Sequence, residues 1–125
     1  MRYNSYEVAP MDSGSLKQHI MRIYNNVNQQ LFKTGVKRQR VEIAGRTILI
    51  IAEHRRVPIL NSLDKTQRSL TRTMDVALLD LYKVELHKQI ESQLNLPVKL
   101  VLKDYDPFKQ IAGTMILLKE DLALE

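Results

Sequence analysis

The stretch GVKRQRVEIAGRTILIIAEHRRVP, residues 35–58, combines two features that usually live apart. Lys37, Arg38, Arg40 and Arg46 crowd into a pattern that otherwise reads as a β-hairpin. Its second half, TILIIA, is among the most apolar runs in the chain and leads to a further pair, Arg55 and Arg56. Gly in a two-residue loop supplies the positive φ of a tight hairpin turn, so the reading is two strands, 36–43 and 46–53, turned at Ala44 and Gly45. Near the turn the first strand alternates, with Val41 and Ile43 inward and Arg40 and Glu42 outward. Its cations suit a sheet edge, where charge discourages pairing with other chains. TILIIA is apolar on both faces, which marks a central strand or one whose second face is covered.

Upstream, Ser15 and Gln18 have capping-box spacing, and Leu16, Ile20, Ile23, Val27 and Leu31 form one stripe at helical period. Gly35 is placed to close this helix as a left-handed residue. Downstream, residues 54–63 read as a connection, because Pro58 offers no ladder donor and holds Val57 extended. Ser62 or Asp64 then caps a second helix running to about Leu94, with Leu70, Met74, Ala77, Leu78, Leu81, Leu86, Ile90 and Leu94 on a wide apolar face. About 30 residues make a rod of roughly 45 Å, longer than a small domain. Such a helix is expected to project, bend or pack against a second subunit. The expectation is a homodimer, with Ile48, Ile50, Leu78 and Leu81 as interface candidates.

Asn95 and Pro97 stop the long helix, and strands at 98–103 and 110–118 flank a turn at 104–109. The order α-β-β-α-β-β predicts an α+β fold: a four-stranded, mainly antiparallel sheet with two helices on one face, the second helix long. The chain divides into an N-terminal arm (1–13), a single domain (14–121) and a short tail (122–125).

At 125 residues, 44% hydrophobic and 26% charged, the chain is one globular domain by size and composition. It has no cysteine, which excludes disulfides, thiol catalysis and Cys-ligated zinc. No apolar run approaches the roughly 18 residues of a membrane span, and the first residues lack the apolar core of a secretory signal. A cytoplasmic protein is expected. The net charge of +5 is uneven: residues 1–62 carry ten Lys and Arg against four Asp and Glu, the rest nine against ten. A basic half suits an anionic partner such as nucleic acid, a phosphate-bearing ligand or an anionic lipid surface. The candidate partner- or anion-binding residues are Lys37, Arg38, Arg40, Arg55 and Arg56. Nucleic acid is the second reading, because the basic hairpin contains no aromatic residue on which bases could stack.

Enzyme signatures are sparse. The glycines at 14, 35, 45 and 113 form no phosphate loop, and no serine lies in a nucleophile elbow. His87 and Glu91 are four apart on a helix, but no third metal ligand accompanies them. His54 beside Glu53 reads as a loop residue, and His19 as a boundary residue of the first helix. Asp104 and Asp106 could hold a cation or share a proton, yet Asp and Pro are also the residues that build turns. No catalytic residue, metal or cofactor is expected, and the chain reads as a non-enzyme.

Taken in order, VKRQRVEIAGRTILIIAE, the helix end VELHKQIESQLNLPVKLVLKDYDP and the last strand AGTMILLKED carry a resemblance over residues 15–121. The chain resembles the Na+-translocating membrane-potential-generating system MpsC family, small soluble bacterial proteins. Its most telling portion is the helix end followed by strand, Asp104-Tyr105-Asp106-Pro107 and strand. The link at residues 54–60 departs from the family's Gly-x-Leu-Thr-x-x-Glu pattern, being basic and without the Gly. The resemblance implies association with two membrane components, an ion-translocating antiporter-like subunit and a large zinc protein, linked to bicarbonate or cation uptake and membrane potential. It brings no catalytic residues. The implied role is that of a non-enzymatic accessory acting by protein–protein contact, cytoplasmic or peripheral at the inner face of the membrane.

Overall fold

A computed structural model describes residues 12–124. The expected N-terminal arm lies outside them except for Asp12 and Ser13, which begin the first helix. Helix α1 spans Ser13–Phe32, and its cap is Asp12, whose carboxylate accepts from the Ser15 N–H at 2.7 Å. Ser15 is therefore inside the first turn and is not the cap. The helix closes at Lys33, which takes the left-handed conformation at φ 60°. Gly35 has a different reason to be glycine: a Cβ there would come within 3.0 Å of Asn25 Oδ1, and that amide accepts the Val36 N–H.

Strands β1 (Arg38–Ala44) and β2 (Thr47–Glu53) pair antiparallel around a turn at Gly45 and Arg46. Gly45 has φ +61°, the conformation such a turn requires. The link expected to be irregular holds a short helix, α2 (Pro58–Leu63), with Pro58 in its first turn, where its missing N–H costs no hydrogen bond. The long helix α3 runs Arg68–Leu94 and starts at Gln67 with no side-chain cap, so neither Ser62 nor Asp64 caps it. Strands β3 (Val98–Asp106) and β4 (Ile111–Leu118) complete the chain.

All pairings are antiparallel and the strand order is β1-β2-β4-β3, so β1 and β3 are the edges. Helices α1 and α3 cover one face of the sheet. The core between the layers holds Leu16, Ile20, Ile23 and Val27 of α1 with Leu86 and Ile90 of α3. They meet Val41, Ile48, Ile50, Val98, Ile116 and Leu118 of the sheet. The expected free tail is tied down: Leu122 and Leu124 pack against this core, and Arg46 bonds Asp121 at 3.3 Å.

The pleat sorts β2 into inward Ile48, Ile50 and Ala52 and outward Leu49 and Ile51. Ile50→Ala should therefore cost about 2–5 kcal/mol, while Ile51→Ala should cost about 1 kcal/mol or less at high dilution. Urea midpoints of the two variants check the assignment of faces.

Candidate functional site

The five candidate cations part company in the fold. Lys37, Arg38, Arg40 and Arg55 are exposed, the first three at or beside the β1 edge. Arg38 and Arg40 lie 3.6 and 3.7 Å from Glu53 and Glu42, contacts worth about 1 kcal/mol at most in water. Arg56 is not available to a partner, which corrects its assignment as a binding residue. Its side chain is 3% exposed and grips two carboxylates in forks. Nε and Nη2 donate to Asp64 at 2.9 Å each, while Nη1 and Nη2 donate to Asp75 at 2.6 and 3.1 Å. Arg68 adds a second cation, 3.1 Å from Asp75. Burial opposes the Arg56 charge, but the hydrogen bonds from Asp64 and Asp75 outweigh it and raise its pKa. Arg56 in turn holds the Asp64 carboxyl at about 2, below its ordinary 3.8. The cluster binds the β2–α2 link to the start of α3.

Two of the four interface candidates are also corrected. Ile48 and Ile50 are fully buried beneath the helices. Leu78 lines a narrow cleft of about 50 Å³ with Phe32, Val57, Leu60, Leu79 and Tyr82. Leu81 is half exposed. The residues that do face outward on the sheet are Leu49 and Ile51 of β2, Ile111, Gly113, Met115 and Leu117 of β4, and Leu100 and Leu102 of β3. Of these, Leu49, Ile51, Leu102 and Ile111 are 42–52% exposed.

A second apolar surface runs along α3. Leu70, Met74, Leu81 and Val84 are 37–66% exposed, and with Ala77 they recur at spacings of 4, 3, 4 and 3, the rhythm of a coiled-coil seam. Of the four fully buried residues of α3, Thr71 alone precedes Tyr82. The first half of the helix leans little on the core.

The pleat also carries a buried basic group that the sequence reading missed. Val101, Lys103 and Tyr105 occupy the inward positions of β3. The Lys103 ammonium donates to Tyr24 Oη and, at 3.0 Å, to Thr114 Oγ1. It lies 4.1 Å from the ring centre of Tyr82 and 4.6 Å from that of Tyr24, a cation–π cage. Tyr24 Oη lies 2.7 Å from His54 Nε2, and Tyr105 Oη donates to the His54 carbonyl at 2.9 Å. Burial drives Lys103 down to about 7. Burial and the nearby Lys103 charge lower His54 to about 3, so its ring is neutral, and Nε2 takes part in a hydrogen bond with Tyr24 Oη. Two hydroxyls and two ring faces thus hold Lys103, which also lines the cleft that Leu78 shares. The signal for it was the alternation itself, with a lysine in phase with Val101 rather than with Leu102.

The remaining candidates have structural employment. Asp106 Oδ1 accepts the Phe108 and Lys109 N–H groups at 2.9 Å, and Asp104 Oδ1 that of Tyr105 at 2.8 Å. Glu91 lies 3.5 Å from His87 and accepts the Val98 N–H at 2.9 Å, joining α3 to β3. His19 meets Arg22 at 2.7 Å on the exposed side of α1. Among the described residues no group of three His, Asp or Glu is gathered to hold a metal, and no helix is long and apolar enough to cross a membrane. Comparisons with protein-family models, with curated proteins and with solved structures find no match to the chain.

Two outcomes follow from the buried charges. Arg56→Met, which leaves Asp64 and Asp75 with the partly exposed Arg68 as the cation beside them, should cost about 3–5 kcal/mol. Adding Asp64→Asn and Asp75→Asn should recover most of it in urea titrations. The pH dependence has a definite sign. His54 at about 3 against 6.5 means that the unfolded chain takes up its proton first on acidification, so stability falls from pH 6.5 towards 3. Lys103 at about 7 against 10.5 makes stability rise between those values, because the folded chain has already shed a proton that the unfolded chain keeps. Tyr24 and Tyr105, held by burial at about 12 against 10.0, reverse the trend above pH 10. Lys103→Met should flatten the rise above pH 7 in a series of urea midpoints.

Proposed function

We propose that this is a non-enzymatic contact protein, an accessory or regulatory partner of a membrane-potential-generating cation or bicarbonate uptake system. The observation that carries the contact reading is the row Leu70, Met74, Ala77, Leu81 and Val84 on α3. It stands on the half of the helix that the core leaves free, and its spacing accepts an apolar helix of a partner, knob into hole. Four or five such residues packed against a partner remove enough apolar surface to hold a complex without any charged contact.

The membrane context comes from the resemblance of residues 15–121 to the MpsC family. It implies the antiporter-like subunit and the large zinc protein as partners, and a place in the cytoplasm or peripheral at the inner face of the membrane. The exposed Lys37, Arg38, Arg40 and Arg55 complement an acidic or lipid-phosphate surface there, at about 1 kcal/mol for each cation close to such a membrane. With Arg56 withdrawn into its own ion pairs, these four and the exposed Arg46 are what the basic stretch offers to nucleic acid. Binding to generic DNA through this stretch would then follow log[salt] with a slope no steeper than about −4.5.

Tagged protein extracted in mild detergent from cells producing both membrane subunits should enrich them. Leu81→Asp combined with Val84→Asp should abolish the enrichment and leave the melting temperature nearly unchanged, because both side chains point to solvent. Wild-type protein that enriches neither subunit, together with a deletion strain of unaltered membrane potential, would overturn the reading.

A further inference from the structure

The outer face of the sheet is a second surface, and its register says what covers it. Four rows cross the sheet from β1 through β2 and β4 to β3, all pointing away from the helices. The first is Arg38, Glu53, Ile111 and Asp106, and the second is Arg40, Ile51, Gly113 and Asp104. The third is Glu42, Leu49, Met115 and Leu102, and the fourth is Ala44, Thr47, Leu117 and Leu100. The middle is apolar apart from Glu53 and Thr47, the β1 edge carries two arginines and Glu42, and the β3 edge carries two aspartates at the heights of the arginines followed by two leucines. We propose that a second copy of this chain covers this face, packed sheet on sheet about a two-fold axis parallel to the strands. The proposal rests on reading the chain as a contact protein and names the occupant of its other surface.

A two-fold axis lying between two stacked sheets runs either along the strands or across them. An axis along the strands keeps each row at its own height and exchanges β1 with β3. Arg38 then faces Asp106 of the other copy and Arg40 faces Asp104, and symmetry repeats both pairs at the far edge. An axis across the strands reverses the rows: it sets Arg40 on Glu42 but leaves Arg38 on Ala44, Asp104 on Leu102 and Asp106 on Leu100, so neither aspartate meets a cation. The axis along the strands matches both aspartates with arginines and lays Glu53, which stays 3.6 Å from Arg38 of its own chain, over Ile111. The charges select the first arrangement. Sheets about 10 Å apart leave room for an extended arginine to reach a carboxylate on the facing edge. In both aspartates the turn hydrogen bonds go to Oδ1, leaving Oδ2 for a guanidinium. Glu42 faces Leu102 in this arrangement and keeps the cations of its own chain, Arg40 at 3.7 Å and Lys17 of α1 at 3.8 Å.

Gly113 supplies an independent observation. Glycine inside a strand marks close approach by another group, and nothing on its own chain demands it. Its φ is not positive, and a Cβ there would meet only Ile51 Cδ1, at an ordinary 3.9 Å. In the two-fold arrangement Ile51 of one copy lies over Gly113 of the other, a large side chain over a hollow, twice about the axis. Leu49 and Met115 exchange places in the same way. Four strands by about seven residues give a face of roughly 19 by 23 Å, about 440 Å² per copy and below the standard size of specific interfaces. A dimer of moderate affinity, dissociating on dilution, is expected.

Sedimentation equilibrium over a dilution series of the whole chain tests this. Arg38→Asp with Arg40→Asp makes both edges acidic, and Asp104→Arg with Asp106→Arg makes both basic. Each variant alone should self-associate roughly a hundredfold more weakly than wild type. Mixed one to one, the two should form a heterodimer of near wild-type affinity. Gly113→Phe, which fills the hollow on a face the core does not touch, should leave the melting temperature of dilute protein unchanged and abolish the dimer. A monomeric wild type at high concentration would overturn the proposal, as would a dimer indifferent to Gly113→Phe and to the charge reversals. Variants that fail to fold would not pair on mixing, and Gly113→Phe then decides. A monomer that still enriches the membrane subunits sinks this inference alone. A charge-matched dimer that enriches neither sinks the accessory role alone.

Discussion

Burial of the Lys103 ammonium is the constraint around which the layers are arranged. A lysine on the inner face of an edge strand must find hydrogen-bond acceptors under the helices or unfold the edge. Tyr24 of α1 and Thr114 of β4 supply the oxygens, and Tyr82 of α3 supplies a ring face. His54, just after β2, hydrogen-bonds Tyr24 Oη through Nε2, and Tyr82 Oη donates to the Tyr24 carbonyl at 3.1 Å. One cation thereby fixes the positions of both long helices and three strands relative to each other. The layer distance and helix register that bury Leu86 and Ile90 are those that let the tyrosines reach the lysine.

Arg56 does at the sheet's end what Lys103 does beneath it. The chain leaves β2 at Glu53 and must turn towards α3, and the turn is held by a buried guanidinium bridging Asp64 and Asp75. Arginine suits this role because its planar fork satisfies two carboxylates at once, which a lysine point charge cannot. The net charge of the cluster is close to zero once Arg68 joins it. The adjacent pair in the sequence, Arg55 and Arg56, thus divides into one solvated cation and one internal strut. Two residues with the same side chain have unrelated functions because successive residues of an extended link point in opposite directions.

The fold class was legible because its signals are local. The stripe on α1, the glycine turn at residue 45 and the alternation of β1 each depend on neighbours within a few residues. The caps were misread where several polar residues compete for the same orphan N–H groups: Asp12 outranks Ser15 because a carboxylate near the helix N-terminus also gains from the helix dipole. α2 was missed because six residues opening on Pro58 are too short to show a helical period. The site was less legible than the fold for one reason. TILIIA is apolar at every position, so its composition cannot say which residues face the helices, and Ile48 and Ile50 were assigned to the wrong face. Only the register with β1 and β4 separates Leu49 and Ile51 from them.

The same register explains why an apolar run tolerates exposure at all. A sheet covered by helices on one side needs alternation on the other, and β1 obeys this with Arg38, Arg40 and Glu42. β2 and β4 do not, and neither does the first part of β3: the exception runs from Leu49 and Ile51 across β4 to Leu100 and Leu102, with arginines on the β1 edge and aspartates farther along β3. Scattered exposed leucines need no explanation. A contiguous apolar centre with oppositely charged margins does, because it exposes hydrophobic surface while spending its charges on the rim rather than on the solvent face. On α3 the pattern differs: the exposed row is narrow, helical and flanked by both signs of charge in Arg72, Asp80, Lys83 and Lys88. A broad flat face with a built-in two-fold match and a narrow helical seam without one are different kinds of surface. The first carries opposite charges on its two edges, and the second carries both signs along its flanks.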